Sequence, residues 1–222
     1  MPIKVTLDRD SETFSEYLAS LYPLIANRKV RRVVTRSGMR ARGDVPSRKT
    51  TDWARFESNV EQDMLRILEV SSTAKVIHTH PFVMHLCSAE PMHYTPDVVV
   101  EFSEGGAIVE VKGKYFLRLP EQRSRMASIA RHLRRQGLTF VIATEDDIRP
   151  AGLQEELCVL LRNRPLVIRG GRGLDTAAWD PLHRSHVDGE WERRWQVAQK
   201  ECDALLQRVM RRDPDEFLET FC

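Results

Sequence analysis

Two things are scarce in this sequence: long apolar runs and paired cysteines. No window approaches the roughly 18 consecutive apolar residues of a membrane-spanning helix. The four cysteines, at 87, 158, 202 and 222, are scattered without a CxxC pair, which argues against a disulfide framework and a thiol-based zinc site. The first residues lack the apolar stretch and small-residue cleavage site of a secretory signal. We therefore expect a cytoplasmic protein with free thiols.

Strong net charge is also lacking, but the charges are segregated along the chain. The 222 residues carry a net charge of only +2, and 41% of them are hydrophobic, which is enough for one large domain or a core with an extension. Residues 28–55 hold ten basic residues against two acidic ones, a local charge of +8. A second basic cluster spans 118–135. Such segregation is typical of a protein with one phosphate-facing side, although a solvated basic face would look the same.

Hydrophobic periodicity predicts an α/β fold in which helices cover a mixed sheet, with an N-terminal helix and a helical C-terminal tail. We divide the chain into an N-terminal helix (1–27), a core (28–150) that starts with a largely irregular basic arm (28–55), and a helical C-terminal region (151–222). Within the core the predicted elements are a helix at 53–69 capped by Thr51 or Asp52, one or two strands at 75–87 interrupted at Pro81, a β-hairpin at 95–111, a helix at 120–136 with Gly137 as its C-cap, and a buried strand at 138–143. Tail helices are predicted at 152–162 and 190–211, the second holding Trp191 and Trp195 as core residues.

Four polar residues stand where the core pattern would not place them. Glu110 and Lys112 flank Val111 at the end of a strand, so the period of two puts both side chains on one face. Asp97 opens the partner strand of the same hairpin, so pairing can bring it next to Glu110. Glu61 lies on the preceding helix, beside its apolar stripe. We expect these four side chains to meet at one end of the sheet.

These residue types suit the hydrolysis of a phosphodiester. Carboxylates supply the hard oxygen ligands that Mg²⁺ prefers while leaving it several waters, and such a site activates water and neutralises phosphate charge. A lysine beside the carboxylates can stabilise charge in the transition state. The alternative is an ordinary ion pair between Glu110 and Lys112 on a surface hairpin, worth only about 0.2–1 kcal/mol.

The order of these motifs resembles the PD-(D/E)XK nuclease superfamily, and within it the catalytic domain of TnsA-type transposon endonucleases. The resemblance covers residues 28–150. It is carried by Tyr94-Thr95-Pro96-Asp97, an apolar strand, a glycine turn and Val109-Glu110-Val111-Lys112; by Glu57-Ser58-Asn59-Val60-Glu61; by the lead-in Pro46-Ser47-Arg48-Lys49; and by the strand end Phe140 to Glu145. His80-Pro81 stands where that family often has Gln-Pro, and the tail lacks a winged-helix pattern.

The resemblance implies a restriction-endonuclease-like fold and a metal-dependent endodeoxyribonuclease. Asp97 and Glu110 would bind Mg²⁺, for which Mn²⁺ can substitute, assisted by the Val111 carbonyl and by Glu61. Lys112 would be the catalytic lysine. The implied role is transposition: cutting double-stranded DNA at transposon ends in a bacterial or phage-encoded system, beside a DDE transposase subunit and an ATPase regulator. The alternatives are a stand-alone phage, repair or defence nuclease, and a non-catalytic DNA-binding assembly subunit.

Several further residues have more than one interpretation. Glu57 competes with Glu61 for the role of the helix-borne carboxylate. His78, His80, His85, Cys87 and His93 crowd one region, which allows a zinc site or a role for His80 in the active site, but also ordinary strand histidines. Lys114 is either a phosphate contact or an ordinary exposed lysine. The predicted phosphate contacts, which position DNA without reading its sequence, are Arg28, Lys29, Arg31, Arg32, Arg36, Arg40, Arg42, Arg48, Lys49, Lys114, Arg123 and Arg125.

Overall fold

The structure, a computed structural model, describes residues 21, 25–27, 41–50, 54–86, 92–103, 105–163 and 189–221. The strands are β1 Ile25–Asn27, β2 Gly43–Val45, β3 Ala54–Phe56, β4 Ala74–Thr79, β5 Val83–Leu86, β6 Met92–Tyr94, β7 Val98–Phe102, β8 Gly106–Val111 and β9 Phe140–Ala143. The helices are α1 Asn59–Val70, α2 Lys114–Leu117, α3 Pro120–Arg135, α4 Glu145–Ile148, α5 Leu153–Arg162, α6 Gly189–Met210 and α7 Pro214–Glu219.

A four-stranded mixed sheet in the order β4-β7-β8-β9 forms the centre of the molecule, so the predicted α/β class is confirmed. Neighbours are antiparallel except β8 and β9, which run parallel. β7 is buried on both faces: Val98 and Val100 pack in the cluster that contains α1, α5 and α6, whereas Val99 packs in the cluster that contains α3. Burial of each such side chain contributes about 1.5–3 kcal/mol to the stability of the fold. Side chains at the edge of this sheet are therefore attached to a well-packed core.

Helix α1 starts later than the predicted helix at 53–69. Ser58 is its N-cap and accepts a hydrogen bond from the Glu61 backbone N–H at 3.2 Å. Residues 54–56 instead form strand β3, because Ala54 and Phe56 point inward and Arg55 outward with the period of a strand. The Ser-x-x-Glu spacing of Ser58 and Glu61 is a capping-box signature, and this signal would have placed the start correctly.

The basic arm is more regular than predicted over its described part. β2 pairs antiparallel with β3, and the Lys49 carbonyl accepts a hydrogen bond from Ile77 N–H at 2.8 Å, which ties residues 47–49 to β4. Residues 28–40 lie outside the described part. So does most of the predicted N-terminal helix; its extension to Asn27 is wrong, because β1 pairs with β5 there.

The remaining element predictions are confirmed. The interruption at Pro81 separates β4 from β5, and the two strands belong to different sheets, β5 joining β1 and β6. The predicted hairpin is β7–β8. Helix α3 ends in a Schellman pattern around Gly137, which has a φ of +73° and donates to Arg134 O, while Leu138 N–H donates to Leu133 O. Helices α5 and α6 occur as expected, with Trp195 buried beside α1; the short helix α7 was not predicted.

None of the described helices is long and apolar enough to cross a membrane.

Candidate active site

Asp97 and Glu110 meet at the end of the β7–β8 hairpin, as the pairing predicted. The register pairs Val98 with Val109, so Asp97, one residue before, lies beside Glu110, one residue after. Both carboxylates are buried, with 9% and 3% of their surface exposed. Lys112 continues the chain where β8 ends, and its backbone N–H donates to Ala143 O at the end of the parallel strand β9. The charged residues therefore cap the buried centre of the sheet.

The Lys112 ammonium joins the two carboxylates. Its Nζ lies 2.6 Å from Glu110 Oε1 and 3.3 Å from Asp97 Oδ2, and the side chain is 27% exposed, more than either partner. It is therefore the member of the group that a ligand would meet first. A half-buried lysine between two buried carboxylates is not the exposed ion pair of the alternative interpretation.

The three charges shift one another's protonation. Burial raises the pKa of Asp97 to about 6, against the attraction of Lys112 and with a further push from Glu61. Burial and the Asp97 charge also raise the pKa of Glu110. Burial opposes the charged form of Lys112, but the carboxylates outweigh it and raise its pKa. Lys112 is thus held as a cation, while the two carboxylates carry charge that the protein alone does not fully stabilise.

Two hydrogen bonds fix the orientation of these carboxylates. The Tyr94 hydroxyl donates to Glu110 Oε2 at 2.6 Å, and the Val111 backbone N–H donates to Asp97 Oδ2 at 2.9 Å. Tyr94 is 3% exposed and belongs to β6 in the three-stranded sheet. Tyr94 belongs to a motif that carries the resemblance, but the sequence predicts no role for it. Its position three residues before Asp97 is the one sequence feature that links it to the site.

Glu61 is held in place by the start of α1. Its Oε2 accepts from the Glu57 backbone N–H at 2.7 Å and its Oε1 from the Ser58 hydroxyl at 3.0 Å. Glu57 precedes the helix, so of the two glutamates Glu61 is the helix-borne carboxylate. The capping contacts explain how Glu61 is oriented, and they give it a structural role beside any catalytic one.

His80 enters the same site with an unusual backbone. Its φ of +44° makes it the described non-glycine residue with a left-handed conformation, which costs about 1–3 kcal/mol and concentrates at functional sites. Its Nε2 lies 3.6 Å from Glu61 Oε2 and 4.0 Å from Asp97 Oδ1, and its backbone N–H donates to Asp97 O at 3.1 Å. The structure therefore brings together five predicted residues, Glu61, His80, Asp97, Glu110 and Lys112, with Val111 between the last two.

The donor chemistry of this site fits a hard divalent cation, although the described residues contain no group of three or more histidine, cysteine, aspartate or glutamate side chains set to enclose one. Mg²⁺ is usually held by one or two carboxylates plus waters and phosphate rather than by a protein cage. Asp97 and Glu110 supply two buried carboxylates with raised pKa values, and a cation would relieve their repulsion. The residues therefore fit Mg²⁺.

The described histidines give no zinc site. His78 Nε2 lies 2.7 Å from Glu101 Oε1, and the rings of His85 and His93 stack at 5.3 Å between centroids across the β5–β6 pair. Cys87 lies outside the described residues. The interpretation of these histidines as strand residues agrees with the contacts seen, with His80 as the exception.

Several predicted phosphate contacts have partners within the protein. The Lys49 ammonium is buried and donates to Leu68 O and Ser71 O, so it is not available to DNA. Arg48 contacts Glu69 and lies over the Trp195 ring. Arg123 donates to three backbone carbonyls, Arg125 donates to His93 O, and Lys114 pairs with Asp146. Arg42 is exposed, and Arg28, Lys29, Arg31, Arg32, Arg36 and Arg40 lie outside the described residues.

No protein-family model matches the chain, and no curated protein is significantly similar to it.

Proposed function

We propose that the chain is a Mg²⁺-dependent DNA endonuclease that cleaves a phosphodiester with water, acting as the TnsA-like subunit that cuts transposon ends beside a DDE transposase and its ATPase regulator. The observation that carries the proposal is the Lys112 ammonium between two buried carboxylates at the edge of a mixed sheet. The order α1, β4, β7, β8, α3, β9 is compatible with a restriction-endonuclease-like core. Together with the motif resemblance, these features favour a nuclease over an ordinary ion pair.

Asp97 and Glu110 would hold the cation, with the Val111 carbonyl and Glu61 nearby. The chemistry that Mg²⁺ supplies in such a site is a water with a lowered pKa and neutralisation of phosphate charge. Tyr94 and the Val111 N–H keep the two carboxylates from rotating, which limits reorganisation during the reaction. The Asp97 carbonyl also accepts a hydrogen bond from the His80 backbone N–H, which holds His80 at the same edge.

Lys112 would act on the phosphate itself. Because its pKa is raised, the side chain stays a cation at neutral pH, so it donates hydrogen bonds and does not serve as a base. Its greater exposure lets it swing from the carboxylates to a phosphate oxygen, where it would stabilise the charge that develops as the bond breaks. A hydrogen-bond donor aimed at developing charge in this way is commonly worth a hundred- to a thousandfold in rate.

A nicking assay on supercoiled plasmid tests the proposal. Wild type with Mg²⁺ or Mn²⁺ should nick, chelation should stop it, and Asp97→Asn should be inactive. Glu101→Gln is the matched control. Glu101 is a buried carboxylate near the far end of β7, the strand that begins directly after Asp97, and it pairs with His78. Metal binding has its own readout: Mg²⁺ should raise the Tm of wild type and not that of Asp97→Asn.

The partner is tested separately. If wild type alone does not nick, the assay is repeated with the candidate DDE transposase and its end sequences. Cleavage that depends on both proteins and on Asp97 supports the two-part enzyme, and nicking by wild type alone supports a stand-alone nuclease. If no combination cleaves, or if Asp97→Asn cleaves as well as wild type, the assignment of this site is wrong.

A further inference from the structure

An aromatic pair lies on the surface directly after the candidate catalytic lysine. Helix α2 begins at Lys114, two residues beyond Lys112, and carries Tyr115 and Phe116, which are 69% and 41% exposed. Their rings meet edge to face, with centroids 5.8 Å apart. Isolated apolar side chains on a surface need no explanation, but two adjacent aromatic rings beside a candidate active site form a patch, and such patches commonly mark a binding surface.

Two cations flank these rings. Lys114 and Arg118 are four residues apart, so they lie on the same side of the turn, and Arg118 is three residues from Tyr115. Lys114 pairs with Asp146, a residue that is 65% exposed, and an exposed pair of this kind is worth at most about 1 kcal/mol. Arg118 is exposed and makes no ion pair with any residue in the described ranges. Both cations are therefore available to an anionic ligand.

Lys114 and Arg118 also line an open groove of about 610 Å³ between α2, α4 and α7. The groove lies beyond the carboxyl ends of the parallel strands β8 and β9, since Lys114 and Thr144 follow those strands closely. Open α/β sheets commonly bind ligands at this edge, and the volume is that of a small-ligand site. The half-buried Phe217 and Phe221 line the far side. One face of Phe217 is covered by the Arg212 guanidinium, 4.0 Å from the ring centroid. Tyr115 lies next to Lys114 but outside the lining of the groove, and its ring is 69% exposed.

We propose that Lys114, Tyr115 and Arg118, together with this groove, bind unpaired nucleotides of the DNA strand next to the cut. Arg118 and Lys114 contact phosphates, and the Tyr115 ring stacks on a base. The pairing of a cationic strip with an exposed ring is the usual chemistry of single-strand binding. A duplex base has both faces stacked, so Tyr115 is useful only where the strand is unpaired. The inference rests on the proposed nuclease function and specifies the form of its substrate.

Binding without cleavage tests this inference. Fluorescence anisotropy in EDTA compares wild type, Tyr115→Ala, Tyr115→Phe and Arg118→Ala on a duplex and on the same duplex with a short single-stranded gap. Arg208→Ala, at an exposed arginine on α6, is the matched control. Wild type should prefer the gapped DNA. Tyr115→Ala should weaken binding to gapped DNA by roughly five- to a hundredfold, with little change on duplex, and Tyr115→Phe should retain the preference because it keeps the ring.

The inference would be overturned if wild type did not prefer gapped DNA, if Tyr115→Ala lost binding equally on both DNAs, or if DNA binding were unchanged in both alanine variants. Loss of transposase binding with intact DNA binding would assign the surface to the protein partner and would overturn it as well. Because no cleavage is needed, the result is independent of the nicking assay. A wild type that binds gapped DNA through Tyr115 but never nicks would contradict the nuclease proposal alone.

Discussion

Two lysines with partners inside the protein, the half-buried Lys112 and the buried Lys49, show how differently the same side chain can be used. Lys112 Nζ lies between the carboxylates of Glu110 and Asp97. Lys49 Nζ lies 2.6 Å from Leu68 O and 2.5 Å from Ser71 O at the end of α1, where the last carbonyls of a helix lack partners. The first lysine is surrounded by full charges and the second by dipoles.

Their protonation follows from these partners. The carboxylates raise the pKa of Lys112, whereas burial lowers the pKa of Lys49 to about 7, and the nearby Glu69 offsets only part of that. Around Lys49 the other polar groups are satisfied: Ser47 donates to Glu69, and Ser71 and Ser72 donate to Asp203 of α6. The polar groups around Lys49 join the basic arm to α1 and α6. The carboxylates around Lys112, in contrast, carry negative charge that a bound cation would neutralise.

Lys112→Met should lower the nicking rate more than Lys49→Met or Tyr94→Phe, and it tests directly whether Lys112 has a catalytic role that Lys49 lacks. Removing the ammonium should lower the metal-dependent nicking rate by about a hundred- to a thousandfold, because the charge on the phosphate loses its stabilising partner. Single-turnover nicking at saturating protein measures it. Lys75→Met, which removes an exposed lysine of β4 that donates to Ser72 O, serves as the control and should retain most of the single-turnover rate. A Lys112→Met rate within threefold of wild type would contradict the role given to Lys112.

Asp97→Asn should remove the dependence of the free energy of unfolding on pH between about 4 and about 6. Since the native pKa of about 6 lies above the ordinary 3.8, the native state holds more protons between those values. The free energy of unfolding of wild type should therefore fall as pH rises from about 4 to about 6, by about 3 kcal/mol at most. Urea unfolding in EDTA measures it. Asp97→Asn should lack this fall and be more stable than wild type at pH 7, whereas Asp146→Asn, on the surface, should follow wild type. Parallel curves for wild type and Asp97→Asn would refute the expectation.

Lys49→Met should have the opposite effect to Lys112→Met: it should lower the free energy of unfolding and leave the nicking rate unchanged. The two carbonyls at the end of α1 would lose their donor, at a cost of about 2 kcal/mol, while single-turnover nicking below the melting range should not change. Because the native pKa of about 7 lies below 10.5, the unfolded state holds more protons between them, and wild-type stability should rise with pH in that window. Urea unfolding across this range checks both effects. A catalytic defect in folded Lys49→Met would contradict the division between the two lysines.

Tyr94→Phe should lower nicking by about tenfold with little loss of structure. The ring and its edge-to-face contact with Phe140 remain, and only the hydrogen bond to Glu110 is removed, which for a charged partner is worth about 1.5–3 kcal/mol. The half-saturating Mg²⁺ concentration should rise, since Glu110 is less well oriented. Titration of nicking against Mg²⁺ measures this, with Tyr115→Phe as the control that removes an exposed hydroxyl. If the nicking rate and its Mg²⁺ dependence are unchanged in Tyr94→Phe, the Tyr94 hydroxyl has no role in orienting Glu110.

His80→Gly should have the smallest effect on stability and a favourable one, of about 1 kcal/mol. Glycine adopts a φ of +44° without the steric penalty that histidine has there. Activity should fall, because the imidazole beside Glu61 and Asp97 is lost. Thermal unfolding and nicking are compared with His85→Gly, at an exposed strand position, where glycine should destabilise. If His80→Gly is destabilising, the backbone conformation is not a source of strain.

The sequence predicted the hairpin and its charges because both depend on local signals. Strand periodicity and one glycine turn were enough to set Asp97 beside Glu110. Tyr94 could not be assigned a role, because its contact with Glu110 depends on how two separate sheets pack. Lys49 was misjudged for a related reason: a basic segment looks solvated in sequence, and only the position of the α1 terminus shows that one of its lysines is buried. Ser58 and Glu61 form a capping-box pattern that marks the start of α1. The apolar periodicity by itself extends the predicted helix too far toward the N-terminus.

Two direct connections within the described residues join the central sheet to the three-stranded sheet, and both border the site. One runs from β4 to β5 through His80, and the other from Tyr94 in β6 to Val98 in β7. The short segment from Tyr94 to Asp97 thus acts as a spacer of fixed length between the hydroxyl that orients Glu110 and the carboxylate beside it. Across related chains, insertions and deletions should be absent between Tyr94 and Asp97.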